Sequence, residues 1–428
     1  MTYMSIKTDK IMRIERTTYL NQLIESQDNG LIKIITGIRR CGKSYLLFNI
    51  FYDYLISKGI DNEHIIKIAL DDILNEEYKD PRRLLLYIKE SIKDSNNYYI
   101  FIDEVQMMDN FSGALNSLLR IENVDVYVTG SNSKFLSSDI ATEFRGRGDV
   151  IHIYPLSFKE FFSVYDGDIN KAWKEYSTFG GLPLIKNIES EQKKINYLNN
   201  LYNTVYIKDL IERNNIKKVF ELEKLIKVIS SSIGAPCNPN KLSNTFKTVE
   251  NVKLNPETIG FYLSYLQDSY LIEKANRYDI KGKKYIGSLS KYYFTDIGLR
   301  NAILEFRQQE ESHIMENVIY NELRIKGFLV DVGIVEHRTS NKENQTIRNH
   351  YEVDFVANHG SKRYYIQSAL TLPDKEKILQ ETNSLRHIHD GFKKIIITKD
   401  DIHPWHNEEG ILFIGLFDFL TKDDCLFY

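Results

Sequence analysis

Apolar and polar positions along the first third of the chain fall into alternating blocks. Residues 31–36 (LIKIIT) form a short run, rich in isoleucine, that stops at Gly37. A run of that length bounded by glycine predicts a buried parallel strand. Residues 44–57 follow with Leu46, Leu47, Ile50, Tyr54 and Leu55 near helical spacing, which predicts a helix. The alternation recurs, with strands at 65–70, 98–102, 124–128 and 150–154 and helices at 81–92 and 111–120. Pro81 suits the first turn of its helix. Strand alternating with helix through residue 155 predicts a parallel α/β sheet with right-handed crossovers. Ligands of such sheets gather at the carboxyl ends of the strands.

The pattern changes after Pro155. Helical spacing covers 157–164, 192–211, 217–233 and 258–268, with a turn at Gly180-Gly181-Leu182-Pro183. Residues 271–295 read as a hairpin turning at Lys281-Gly282-Lys283-Lys284. Helices followed by a basic hairpin suggest a winged-helix unit. The last part is mixed, with a helix at 313–326 and strands at 353–357, 364–367, 394–398 and 411–416. The expected division is 1–155, 156–305 and 306–428.

Composition narrows the class. With 42% hydrophobic and 27% charged residues over 428 positions, each of several domains can bury a core. A net charge of −3 gives the whole molecule no footprint for nucleic acid, so any such contact needs a local basic patch. Cys41, Cys237 and Cys425 form no CxxC pair, which argues against a zinc clip or disulfide framework. His387, His389, His403 and His406 lack matching ligand spacing and read as surface histidines. The first residues lack an apolar signal core, and no uncharged apolar run approaches a membrane span. The expectation is a cytoplasmic protein with reduced thiols and no membrane contact.

Candidate chemistry lies at the predicted strand ends. Gly37-Ile38-Arg39-Arg40-Cys41-Gly42-Lys43-Ser44 fits GxxxxGK[ST] between a strand and a helix, as a phosphate-binding P-loop requires. Its glycines let main-chain amides face phosphate oxygens, and the helix adds its positive end. Lys43 is expected to reach the β- and γ-phosphates of ATP, and Ser44 to bind Mg2+. The nucleotide set is Gly37, Arg40, Cys41, Gly42, Lys43, Ser44 and Tyr45. Asp103 and Glu104 close the third strand; the first can order Mg2+ and the second can polarise an attacking water. Thr129-Gly130-Ser131-Asn132 ends the fourth strand, where Ser131 and Asn132 could sense the γ-phosphate or cap a helix. Arg145 and Arg147 precede the fifth strand and are candidates to stabilise transition-state charge, in the same subunit or in a neighbour.

TGIRRCGKSYLL, FIDEVQ, VTGSNSKFL and GR followed by PLSFKEF, with FGGLP, YYFTDIGLRNAIL and EVDFV further on, together resemble a family of AAA-type ATPases of bacteria and archaea. The resemblance spans nearly the whole chain. It implies a P-loop ATPase core with Asp103 near the metal, Glu104 as the catalytic acid, Asn132 in the first sensor and Arg147 as arginine finger. It also implies a winged-helix middle and a restriction-endonuclease-like α/β end of unknown function.

Metal-dependent nucleases of that fold need clustered carboxylates and a lysine near the attacking water. Glu316 and Asp354 stand at matching places, but Gln367 replaces the second carboxylate and Ala369 the lysine. Glu352 and Glu322 are substitute candidates. The expectation is a retained fold without cleavage. Arg277, Lys281, Lys283, Lys284 and Lys291, interleaved with tyrosines, are candidates for phosphate contact at the hairpin. The leading expectation is a Mg2+-dependent ATPase that moves its C-terminal domains, with a homo-oligomer and a DNA or protein partner as candidate associations. The alternatives are an ATP-gated DNA-binding or interaction module with slow hydrolysis, an ATP-dependent nuclease and a P-loop kinase. Glu104 beside Asp103 argues against the kinase.

Overall fold

A computed structural model describes residues 13–130, 146–249, 254–340 and 346–427. Two compact units emerge, one built from residues 1–155 with short returns at 182–187 and 268–270, the other from the rest.

The first unit holds strands β1 (Ile32–Thr36), β2 (Ile65–Ala69), β3 (Tyr98–Asp103), β4 (Val124–Thr129) and β5 (Gly148–His152). All pair in parallel, in the order β2-β3-β4-β1-β5. Helices α1 (Thr17–Glu25), α2 (43–57), α3 (Pro81–Ser91) and α4 (Phe111–Leu118) accompany them. β1, β3 and nearly all of β4 are buried along their length, as their apolar runs require. Ile34, Ile100, Ile102 and Val128 join Leu84, Ile88, Leu115 and Leu118 of α3 and α4 in one core. The charged residue on β1 is Lys33, which is fully buried and ion-paired to Asp125 on β4. Tyr127 donates to the same carboxylate at 2.8 Å. A buried charge survives only when it is satisfied in this way.

The second unit contains α5 (Phe158–Ser163), α6 (Ile169–Phe179), α7 (191–214), α8 (Val219–Ser231), α9 (Pro239–Val249) and α10 (Pro256–Asp268). The hairpin β6 (Ile272–Asp279) and β7 (Lys284–Phe294) follows, then α11 (Ile297–Ile303) and α12 (Glu311–Ile325). Beyond them lie β8 (Leu329–Ser340), β9 (Thr346–His359), β10 (Lys362–Ala369), α13 (Lys375–Arg386), β11 (Lys393–Thr398), β12 (Trp405–His406), β13 (Leu412–Gly415) and α14 (Leu416–Thr421). Eight strands make one mixed sheet in the order β12-β13-β11-β10-β9-β8-β6-β7.

The hairpin forms where the sequence placed it, and its first strand also joins the sheet of the last part of the chain. β6 pairs in parallel with β8 through Arg277–Val332, Tyr278–Gly333 and Asp279–Ile334. A boundary at residue 305 therefore passes through one sheet. The physical reason is the free edge of β8, whose main-chain groups β6 satisfies.

Two motifs lock each other in this unit. Asp296 caps α11 by accepting from Leu299 N–H at 2.9 Å and also accepts from Gly181 N–H at 2.8 Å. Gly180 has φ +78°, and a Cβ there would lie 2.4 Å from Asp296 Oδ1. The Asn301 amide donates to the carbonyls of Ser177 and Thr178, both at 2.9 Å. Arg300 is buried with Nε on Ser230 O at 2.8 Å and Nη1 on Gln308 O at 2.6 Å. FGG and TDIGLRN are thus structural partners.

Candidate nucleotide site

The sheet order sets the site. β4 lies between β1 and β3, so the loop after β1 and the acidic end of β3 flank the end of β4. Gly37 has φ +143°, and a Cβ there would lie 2.2 Å from the carbonyl oxygen of Ile153. Gly42 has φ +100° and Arg40 φ +66°, so the loop turns twice through left-handed backbone before α2 begins. The amides that open α2 have no carbonyl four residues back within the helix, and they carry its positive dipole end. Lys43 is buried, and its ammonium donates to the carbonyls of Gly37 at 3.0 Å and Ile38 at 3.1 Å. It is tethered across the mouth of the loop. Cys41 is fully buried, while Arg40 and Tyr45 are exposed.

Asp103 is buried at the end of β3, where the Thr129 hydroxyl donates to its carboxylate and the Ser44 hydroxyl lies close enough to favour its charged form. Burial pushes its carboxyl above the ordinary range, Glu104 and Asp71 push the same way, and the two hydroxyls oppose them. An anion held against desolvation is relieved by a cation. Paired hydroxyl and carboxylate oxygens are also the hard donors that Mg2+ prefers, so these residues fit that ion.

Thr129 ties the acidic pair together. Its hydroxyl bonds Asp103 and accepts the Glu104 N–H at 3.1 Å. Glu104 occupies a left-handed conformation at φ +50°, which turns it out of the strand direction. Its carboxylate accepts from the Gln106 amide. The sequence reading names Thr129 only within the polar end of the fourth strand and does not name Gln106. The signal was available, since one ends the strand between loop and acid and the other lies two residues beyond Glu104.

Other expected residues fall elsewhere. Asn132, Ser131 and Arg145 lie outside the described residues. Arg147 is exposed just before β5, its carbonyl accepting from Ile32 N–H at 2.9 Å and its guanidinium donating to Asn116 at 3.3 Å. It therefore stands at the amino ends of the strands, opposite the loop, and does not reach the site of its own chain. The register Gly148–Ile32 to His152–Thr36 separates it from the loop by a strand length, roughly 15 Å.

In the second unit, Glu316, Glu352 and Asp354 gather around Lys291. Lys291 is buried and thus leaves the basic surface set, whereas Lys281, Lys283 and Lys284 are exposed at the hairpin tip. Gln367 approaches the Asp354 N–H at 3.4 Å, and Ala369 is part of the core. Glu322 pairs with Lys326 at 3.3 Å.

This fold and this loop define a P-loop nucleotide-binding domain of AAA type. The AAA domain family matches residues 29–162, and a domain of unknown function, DUF8612, matches 170–310. The chain is 34% identical over 415 residues to an uncharacterized protein of Haemophilus influenzae, covering 96% of this chain and 99% of that one. It is 33% identical to an uncharacterized protein of Methanocaldococcus jannaschii, covering 92% and 85%. The chain belongs to this family of AAA-type P-loop ATPases. Among solved structures, a Walker-type ATPase of Pyrococcus abyssi aligns at 14% identity and TM-score 0.48, covering 71% of this chain and 99% of that one. Among the described residues no helix is long and apolar enough to cross a membrane.

Proposed function

We propose that this protein is a Mg2+-dependent ATPase whose cycle drives movement of its C-terminal part. The observation that supports the reading is the sheet order β3-β4-β1, which sets the loop after β1 and the acidic end of β3 on either side of the end of β4, with the Ser44 hydroxyl favouring the charged form of the buried Asp103. Ser44 and Asp103 would hold Mg2+, which supplies positive charge beside the phosphates. The loop amides and the α2 amino end bind the phosphates, and Lys43 exchanges its two carbonyl partners for phosphate oxygens. Glu104 accepts the proton of the attacking water, held in place by Gln106 and by its own N–H on Thr129. Arg147 serves the site of a neighbouring copy.

Release of phosphate from ATP, with the bound nucleotide measured separately, tests this reading. Glu104→Gln should keep nucleotide affinity and lower turnover by about 100-fold or more. Unchanged turnover removes Glu104 from its role. Lys43→Ala should lose most nucleotide binding, and undiminished affinity would refute the cradle. A second reading, in which nucleic acid gates a slow ATPase, draws on the exposed lysines of the hairpin tip. Adding DNA to the same assay separates the two: stimulation that Lys281→Ala/Lys283→Ala/Lys284→Ala abolishes favours the second.

A further inference from the structure

Three carboxylates of the second unit converge on one buried ammonium. Lys291 Nζ lies 2.8 Å from Glu352 Oε1, 2.9 Å from Glu316 Oε1 and 3.6 Å from Asp354 Oδ1. The lysine is 3% exposed. It arrives from β7, Glu316 from α12, and the other two acids from β9. The acids are braced from outside. The Tyr293 hydroxyl donates to Glu316 Oε1 at 2.7 Å, and the Ser368 N–H donates to Asp354 Oδ2 at 2.9 Å.

An ammonium has three donors, and three acids surround this one. A hard divalent cation would demand the same convergence of carboxylate oxygens. The two cations cannot share the point, because like charges a few ångströms apart in a buried place repel strongly. The residues that a metallonuclease would add do not compensate. Gln367 turns its carbonyl oxygen to main-chain Asp354 N–H, and Ala369 lies in the core. Among the described residues no group of three or more His, Cys, Asp and Glu side chains is arranged to hold a metal ion.

We infer that Lys291 is the resident cation of this cluster, so that its three carboxylates are satisfied by the chain itself and the centre excludes metal. The cluster then serves as an internal cross-link between β7, α12 and β9. Removing the lysine leaves three acids facing one another with no cation among them, a repulsion that a divalent ion can relieve as the side chains draw together.

The test uses the full chain without nucleotide and Mn2+ as the probe, read by electron paramagnetic resonance and by thermal melting. Wild type and Asp354→Asn should show the same Mn2+ binding, because this cluster contributes none. Lys291→Ala should melt lower than wild type, bind one additional Mn2+ and regain melting temperature as Mn2+ is added. Lys291→Ala/Asp354→Asn should lose that extra ion. Mn2+ bound by wild type and lost in Asp354→Asn overturns the inference. So does a Lys291→Ala variant that folds and melts like wild type with no added ion. Should Lys291→Ala fail to fold, the comparison of wild type with Asp354→Asn still decides.

Discussion

Gln106 and Glu104 show how closely one side chain can govern another at this site. The Gln106 amide holds the Glu104 carboxylate, and its own buried carbonyl oxygen has no hydrogen-bond partner among the described residues. A buried oxygen left in that state is tolerated where the opposite end of the amide is needed. Gln106→Ala should lower the rate of phosphate release by about tenfold to a hundredfold with nucleotide affinity unchanged, since misplacement of a reacting group costs about that much. A fall in affinity with unchanged turnover would assign Gln106 to binding instead. A different residue governs pH dependence. Burial pushes the Glu322 carboxyl from 4.5 up to about 7, with Glu160 and Asp423 adding to the shift and Lys326 opposing it. Between those values the folded chain holds a proton that the unfolded chain has released. Stability therefore falls as pH rises through this window, and levels off above the folded value. Glu322→Gln should flatten that part of the profile in thermal melts; a slope unchanged in the variant would place its origin elsewhere.

Individual elements differ in how much of themselves they display in sequence. β1, β3 and β4 are short apolar runs ended by glycine or acid, and each forms within one or two residues of its expected place. α6 is missing from the expected elements although Ala172, Trp173, Tyr176 and Phe179 mark one buried face. β8 hides because Asp331 and Gly333 interrupt its apolar run where the register with β9 shifts. α13 hides because its buried positions are Thr382, Ser384 and Leu385, a thin and mostly polar stripe. The loop and acidic pair were legible because local spacing encodes their chemistry. The partners of Lys291 lie 25 to 63 residues away, and only the folded sheet brings them together. The meeting of α6 and α11 gives a prediction of its own. A Cβ on Gly298 would lie 2.0 Å from the carbonyl oxygen of Phe179. Gly298→Ala should cost about 2 kcal/mol or more, read as a shifted urea midpoint, because the contact is with main chain that cannot rotate away.

At the scale of the whole molecule, Arg147 makes each copy incomplete under the proposed mechanism. A residue at the amino edge of the sheet can complete a phosphate site only in another copy. Arg147→Ala and Glu104→Gln should each be inactive alone. Mixed, they should regain activity, because the second variant can lend its arginine to the intact acid of the first. Absence of any recovery in mixed samples that exchange subunits would exclude the role across subunits. The alliance of β6 with β8 has another kind of consequence. Severing the polypeptide near 305 would leave a raw ribbon of amides and carbonyls on each product, and such margins recruit foreign strands. Shortened versions made for crystallography should therefore keep 272–415 intact, or they will yield sticky aggregates that say little about the native molecule.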